Sequence, residues 1–258
     1  MTGERSADPA DEPLDDIVDE ARRILARAAA RSVPLKLVGG LAIRLHSMEP
    51  PRGGLVREFK DIDLATPRKR DREVASFIVS LGYSSDDTFN AMNAGRRALF
   101  YDVSHKRQLD IFVGGFEMCH AVPIVDRFEV DSETVPLAEL LLTKLQIVEL
   151  NEKDLRDILA LLVEHEVGDH DAETVNAAYV GKLCAEDWGL WRTCKMNIER
   201  ARTGLEHFDL SGEDRRVLAQ RLDSLWSGIE TAPKSRSWKM RDRIGDRMRW
   251  YQEPEEID

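Results

Sequence analysis

The chain has 258 residues, 42% hydrophobic and 33% charged, with 16 Gly and 10 Pro. This excludes collagen-like, low-complexity and wholly disordered classes and leaves one large globular domain or two unequal ones. With 37 Lys and Arg against 48 Asp and Glu, the net charge is −11, which argues against an all-over nucleic-acid-binding surface, so any polyanion must bind locally.

Met1 to Glu20 carries eight acidic residues and a single Arg, the reverse of a signal peptide, and no apolar run approaches eighteen residues. Residues 1–12 read as a disordered acidic leader, because nothing there offsets the entropy of ordering. Leu14, Ile17, Val18, Ala21, Ile24, Leu25 and Ala28 then recur at helical spacing, with Asp15 and Asp16 where the helix dipole favours them. Pro34 ends that pattern. Residues 35–38 form a short strand running into Gly39-Gly40 and a brief helix over 41–45, and residues 47–57 form a loop.

Asp61-Ile62-Asp63-Leu64-Ala65 has strand alternation, which puts its two carboxylates on one face. Thr66-Pro67 reads as a helix start, with Val74, Phe77, Ile78 and Leu81 as the apolar stripe and Gly82 as the stop. Residues 97–103 and 108–113 read as antiparallel strands, with a further strand or two between Glu117 and Val130. Helices are expected at 136–149, 152–166, 171–185, 188–206, 211–229 and 235–250. The expected fold class is α/β (α+β), with a mixed sheet flanked by helices over 13–132 and a helical domain over 133–258.

Three features stand in order along the N-terminal part: the Gly39-Gly40 turn after a strand, the Asp61 and Asp63 pair, and Asp110 inside Leu109-Asp110-Ile111-Phe112-Val113. A carboxylate in such an apolar strand needs a cation. Three carboxylates converging from two neighbouring strands make a site for a hard cation such as Mg²⁺, which substrate phosphates commonly complete. Glycines beside it let backbone approach phosphate, and the helix after them aims free N–H groups at the same anion.

At these residues the sequence resembles the nucleotidyltransferase superfamily that includes DNA polymerase beta. Pro136-Leu137-Ala138-Glu139-Leu140-Leu141-Leu142-Thr143-Lys144-Leu145, followed by Lys153-Asp154-Leu155-Arg156-Asp157-Ile158-Leu159, is similar to the abortive-infection AbiEii family, which includes nucleotidyltransferase toxins. The resemblance spans about residues 35–162. It implies transfer of an NMP group from an NTP such as ATP to an acceptor hydroxyl, with pyrophosphate released. It further implies Asp61, Asp63 and Asp110 as ligands of Mg²⁺ or Mn²⁺, and Gly39 and Gly40 as the triphosphate turn. Lys144 would face the triphosphate, Asp157 would lie near the acceptor or hold Lys144, and Arg57 would assist nucleotide binding. Asp110 would also serve as base. The implied acceptors are an RNA 3′ end, a protein side chain or an aminoglycoside-type small molecule. The toxin-like members imply an antitoxin protein as partner, while a non-catalytic nucleotide-binding or interaction module is the alternative reading. Leu41 stands where the superfamily usually has Ser or Thr, which removes one phosphate contact.

Cys119, Cys184 and Cys194 form no CxxC and no even framework, so a reducing cytoplasm without a membrane fits best. The six histidines show no paired metal spacing, so a zinc enzyme is not expected. The five tryptophans all fall in the helical part and read as core. The segment from Lys234 to Arg249, with seven basic and two acidic residues, reads as a solvated helix face.

Overall fold

The computed structural model describes residues 12–47 and 52–253; most of the expected acidic leader lies outside them. Helix α1 (Ile17–Ala30) is capped by Asp16, whose carboxylate accepts from the Val18 and Asp19 amides. This satisfies two of the amides that a helix start leaves orphaned. Strand β1 (Lys36–Leu37) leads directly into α2 (Gly39–Leu45). The described part of the expected 47–57 loop contains a 3₁₀ turn at Gly53–Leu55.

Strand β2 (Asp61–Thr66) extends one residue beyond expectation. Thr66 is not a helix cap: it is fully buried in the strand and its hydroxyl donates to the Pro34 carbonyl at 2.9 Å. The chain turns through a 3₁₀ segment at Arg68–Arg70 before α3 (Asp71–Ser80). Beyond it come β3 (Ser84–Ser85) and α4 (Asp87–Met92), two short elements without sufficient periodicity to be read from sequence. Strands β4 (Arg97–Asp102) and β5 (Arg107–Val113) form the expected antiparallel pair.

These strands make a mixed five-stranded sheet in the order β1-β2-β5-β4-β3. The β2–β5 pairing is parallel, with Asp63 opposite Asp110 and Leu64 opposite Ile111. Ile62, Leu64, Leu109 and Ile111 are at most 1% exposed, so one face of the central pair feeds the core and the aspartates share the other face. Of the further strand or two expected between Glu117 and Val130, β7 (Ala121–Val122) lies within that span and pairs with β6 (Phe116–Glu117), which starts one residue before it.

The helical part contains α5 (Leu137–Leu145), α6 (Glu152–Glu164), α7 (Ala177–Glu186), α8 (Trp188–Gly204), α9 (Gly212–Thr231) and α10 (Arg236–Ile244). Three of the expected helices shorten by five residues or more. Helix α5 stops at Leu145, and α10 ends before Gly245, whose φ is 59°. Residues 171–176 are not helical: β8 (Glu166–Gly168) and β9 (Thr174–Asn176) pair in parallel there, and the Asn176 side chain caps α7. Trp188, Trp191 and Trp238 are buried, with the Trp191 ring centroid 5.1 Å from that of Trp238, so packing is their role. One apolar cluster runs from Ala21 to Trp238 and spans both parts of the chain.

Candidate functional site

Two elements position the carboxylates. Strand β2 alternates so that Asp61 is exposed and Asp63 half-buried on the face opposite Ile62 and Leu64, and the parallel register sets Asp110 beside Asp63. The Val38 amide donates to the Asp63 carbonyl at 2.9 Å, which brings the start of α2 against the same strand. Gly39 is at φ 69°, and any Cβ there would strike the Asp63 carboxylate. Both facts call for glycine. A Cβ on Gly40 would strike the Arg57 guanidinium and come within 2.9 Å of Asp157. The glycine pair is thus where backbone passes between the carboxylate cluster and a second group of charges. Leu41 is 2% exposed and packs into the core.

That second group is built on α5 and α6. Of the residues in α5, only Lys144 escapes burial, and its ammonium lies 2.9 Å from both Asp154 and Asp157. Asp157 also receives Arg57 bidentately, at 2.7 and 2.8 Å, while the Arg57 guanidinium lies 4.2 Å over the Phe59 ring. Lys144 is therefore neither a snorkelling surface lysine nor free. Burial works against its charge, but Asp157 and Asp154 outweigh that and hold its pKa above the ordinary lysine value.

The carboxylate cluster is electrostatically different. Asp63 is pushed up to about 7, first by burial and then by Asp110, with Asp61 adding to the repulsion and Lys144 and Arg97 opposing it. Burial also raises Asp61, against the pull of Lys153, Lys60 and Arg57. Asp110, 2% exposed, is raised by burial despite its ion pair with Arg97. The Arg97 Nε lies 2.9 Å from both Asp110 oxygens and its Nη2 also bonds Asp110, while the guanidinium sits over the Phe112 ring at 5.1 Å. The cation that Asp110 requires is thus Arg97.

The structure brings all eight expected residues, Gly39, Gly40, Arg57, Asp61, Asp63, Asp110, Lys144 and Asp157, into one contiguous region. It does not close the three aspartates around a point: among the described residues, the one group of three whose His, Cys or carboxylate ligand atoms all lie within 4.8 Å of one another is His46, His165 and Glu173. The all-oxygen donor set, with Asp61 and Asp63 directly paired to no cation among the described residues, fits a hard divalent ion.

Two participants escaped sequence reasoning. Arg97 opposes Phe112 in the β4–β5 register, so it shares a face with Asp110, and the hairpin alone would have suggested the pairing. Asp154 lies three residues before Asp157 on α6, on the same helical face. Beside the site, Gly40, Arg57, Phe59, Asp157 and neighbouring apolar residues line a narrow cavity of about 50 Å³.

The chain matches no family model and no curated protein. Among solved structures it is similar to the antibiotic-resistance factor ANT(2'')-Ia, at 16% identity over 83% of this chain and 94% of that one, with a TM-score of 0.37. No helix among the described residues is long and apolar enough to cross a membrane.

Proposed function

We propose that this protein is a metal-dependent nucleotidyltransferase that moves an NMP group from an NTP to an acceptor hydroxyl and releases pyrophosphate. The observation that carries this reading is the convergence of Asp61, Asp63 and Asp110 on one sheet face beside Gly39 and Gly40, with Asp63 pushed up to about 7. A carboxylate held that far above its ordinary value, first by burial and then by Asp110, is poised to exchange its proton for a cation.

Asp61 and Asp63 would hold the divalent ion, Mg²⁺ or Mn²⁺, and Asp110 would join them when Arg97 releases it. When bound, such an ion neutralises charge on the transferring phosphoryl group and makes the acceptor hydroxyl more acidic. Gly39 and Gly40 let backbone approach the triphosphate. Lys144, fixed by Asp154 and Asp157, supplies a preorganised positive charge toward the leaving pyrophosphate. Arg57 braces that arrangement through Asp157 and faces the nucleotide from behind Gly40. Asp110 is the candidate base for the acceptor hydroxyl.

The carboxylate-rich site and net charge of −11 favour a cationic acceptor such as an aminoglycoside-type small molecule. The α5–α6 resemblance to AbiEii-type toxins favours an RNA 3′ end or a protein hydroxyl, with an antitoxin as partner. A second reading, a nucleotide-binding module without transfer, is favoured by the Arg97–Asp110 pair, which occupies the third carboxylate.

Each α-labelled NTP, incubated with protein and Mg²⁺ against total RNA, cell lysate and an aminoglycoside panel, separates these readings. Label on one acceptor class with matching pyrophosphate release is the expected result. Nucleotide-dependent thermal stabilisation without transfer would establish the second reading. If NTP and Mg²⁺ together stabilise no more than either alone, both readings fail, since a bound ligand must stabilise by mass action.

A further inference from the structure

Helices α2 and α6, which carry Gly40 and Asp157 into the candidate site, end in histidines. His46 follows the last residue of α2, His165 follows that of α6, and their ring centroids lie 5.4 Å apart at 80°. With about 1.5 Å of rise per residue, the histidines lie on the order of 10 Å along these helices from Gly40 and Asp157.

The hydrogen bonds fix which ring nitrogens carry lone pairs. The Thr134 hydroxyl spends its one proton on the Val135 carbonyl at 2.8 Å, so its contact with His46 Nε2, also 2.8 Å, must be one in which the imidazole donates. That leaves the lone pair of neutral His46 on Nδ1. His165 Nδ1 faces the Glu173 carbonyl at 3.3 Å, and a carbonyl only accepts. The His165 lone pair is therefore on Nε2, which is buried and lacks any hydrogen-bond partner, in a side chain only 8% exposed. An orphaned acceptor in a protein interior carries a desolvation cost unless something occupies it.

The Glu173 carboxylate completes the group, and the three residues offer ligand atoms within 4.8 Å of one another. A side-chain 85% exposed is free to rotate toward the imidazoles. Ligands on a tetrahedral zinc ion stand about 3.4 Å apart, so the group must tighten to bind, and the Glu173 carboxylate, which lies 3.8 Å from His165 Nδ1, must swing toward the lone-pair nitrogens. Two imidazoles and a carboxylate suit zinc-class ions rather than Mg²⁺, and the Thr134 hydroxyl and the Glu173 carbonyl are the outer groups that orient metal-bound histidines.

The geometry points to a zinc-class site formed by His46, His165 and Glu173, separate from the aspartate cluster. It joins the C-terminal ends of α2 and α6 to the segment entering β9, and so fixes the two helices on which Gly40 and Asp157 ride. The plain alternative is a His165–Glu173 ion pair, whose closest N–O distance is 3.8 Å.

The test uses the full-length protein stripped with EDTA, titrated with Zn²⁺ by calorimetry and with Co²⁺ by visible absorption, both with millimolar Mg²⁺ present. One equivalent of zinc per chain, Co²⁺ bands of tetrahedral intensity, and a raised Tm are expected. His46→Gln and Glu173→Gln should each weaken zinc binding tenfold or more; Glu173 is exposed, so its variant tests the site without endangering the fold. Failure of the native chain to take up zinc, or unchanged affinity in either variant, overturns the assignment. Loss of the proposed transferase activity in Asp61→Asn would bear on the aspartates alone, because zinc uptake should persist in that variant.

Discussion

The two charged groups that meet at Gly39 and Gly40 are built on opposite principles. On the helical side, Lys144 and Arg57 face Asp154 and Asp157, two cations against two carboxylates, every one engaged. On the sheet side, among the described residues, only Asp110 of the three aspartates is ion-paired, to Arg97, and burial together with the neighbouring carboxylates pushes Asp63 up to about 7. A balanced network holds its members in place. An unbalanced one is a site with an unmet charge, and the difference separates positioning from ligand capture.

The sharpest way to break this comparison is to remove the unmet charge. Asp61→Asn and Asp63→Asn should each lower NMP transfer by about a thousandfold or more, the scale of losing a metal-based contribution of several kcal/mol. Asp63→Asn should also raise the Tm of the metal-free protein, because it relieves crowding. Loss of activity accompanied by unfolding in both variants would move these residues to the helical side of the comparison.

On the balanced side the expected effects are mixed. Lys144→Met leaves Asp157 with Arg57 and takes from Asp154 its ion-pair partner, so unfolding stability should fall by about 3 kcal/mol, as for a buried pair deprived of one partner. Adding Asp154→Asn should recover part of that loss. Transfer should drop roughly a hundredfold in folded protein, the scale of one preorganised electrostatic contact. An unchanged rate in both variants would place Lys144 outside the transfer site and leave it a stability role alone.

The pH dependence follows from the raised Asp63 carboxyl. The folded state holds a proton there that the unfolded chain releases above about pH 4, so stability contributed by this group declines as pH rises from about 4 to 7. Thermal melts at pH 5.5 and 8 should show the native chain losing more than Asp63→Asn does. Over the same interval the Mg²⁺-dependent Tm increment should grow, since the ion displaces that proton; an increment independent of pH would contradict the assignment.

The smallest effect is expected at the link between the two sides. Arg97→Gln frees Asp110 from its guanidinium and removes the positive charge that competes with a bound ion. Mg²⁺ affinity, measured by calorimetry without nucleotide, should rise by roughly tenfold at most. Weaker Mg²⁺ binding would mean that Arg97 supports the cluster rather than guarding it.

Much of the sheet side was legible without coordinates. Period-two alternation placed Asp61 and Asp63 on one face, and an aspartate within Leu109–Val113 announced a buried carboxylate in need of a cation, because both signals are local. The glycine pair, the β4–β5 hairpin and most helices were similarly readable. Several helix ends were not: residues 171–176 became a strand because β9 finds a parallel partner in β8, and a three-residue pairing leaves too little periodicity to detect. Thr66 joined β2 because Pro34 offers its hydroxyl a buried acceptor. Which cation meets which carboxylate was decided wholly by tertiary structure. Arg57 reaches Asp157 across 100 residues of chain, and His46 meets His165 across more. Sequence patterns carry the face a residue occupies, whereas a charge pair between distant elements depends on how those faces pack, and only the assembled fold determines that.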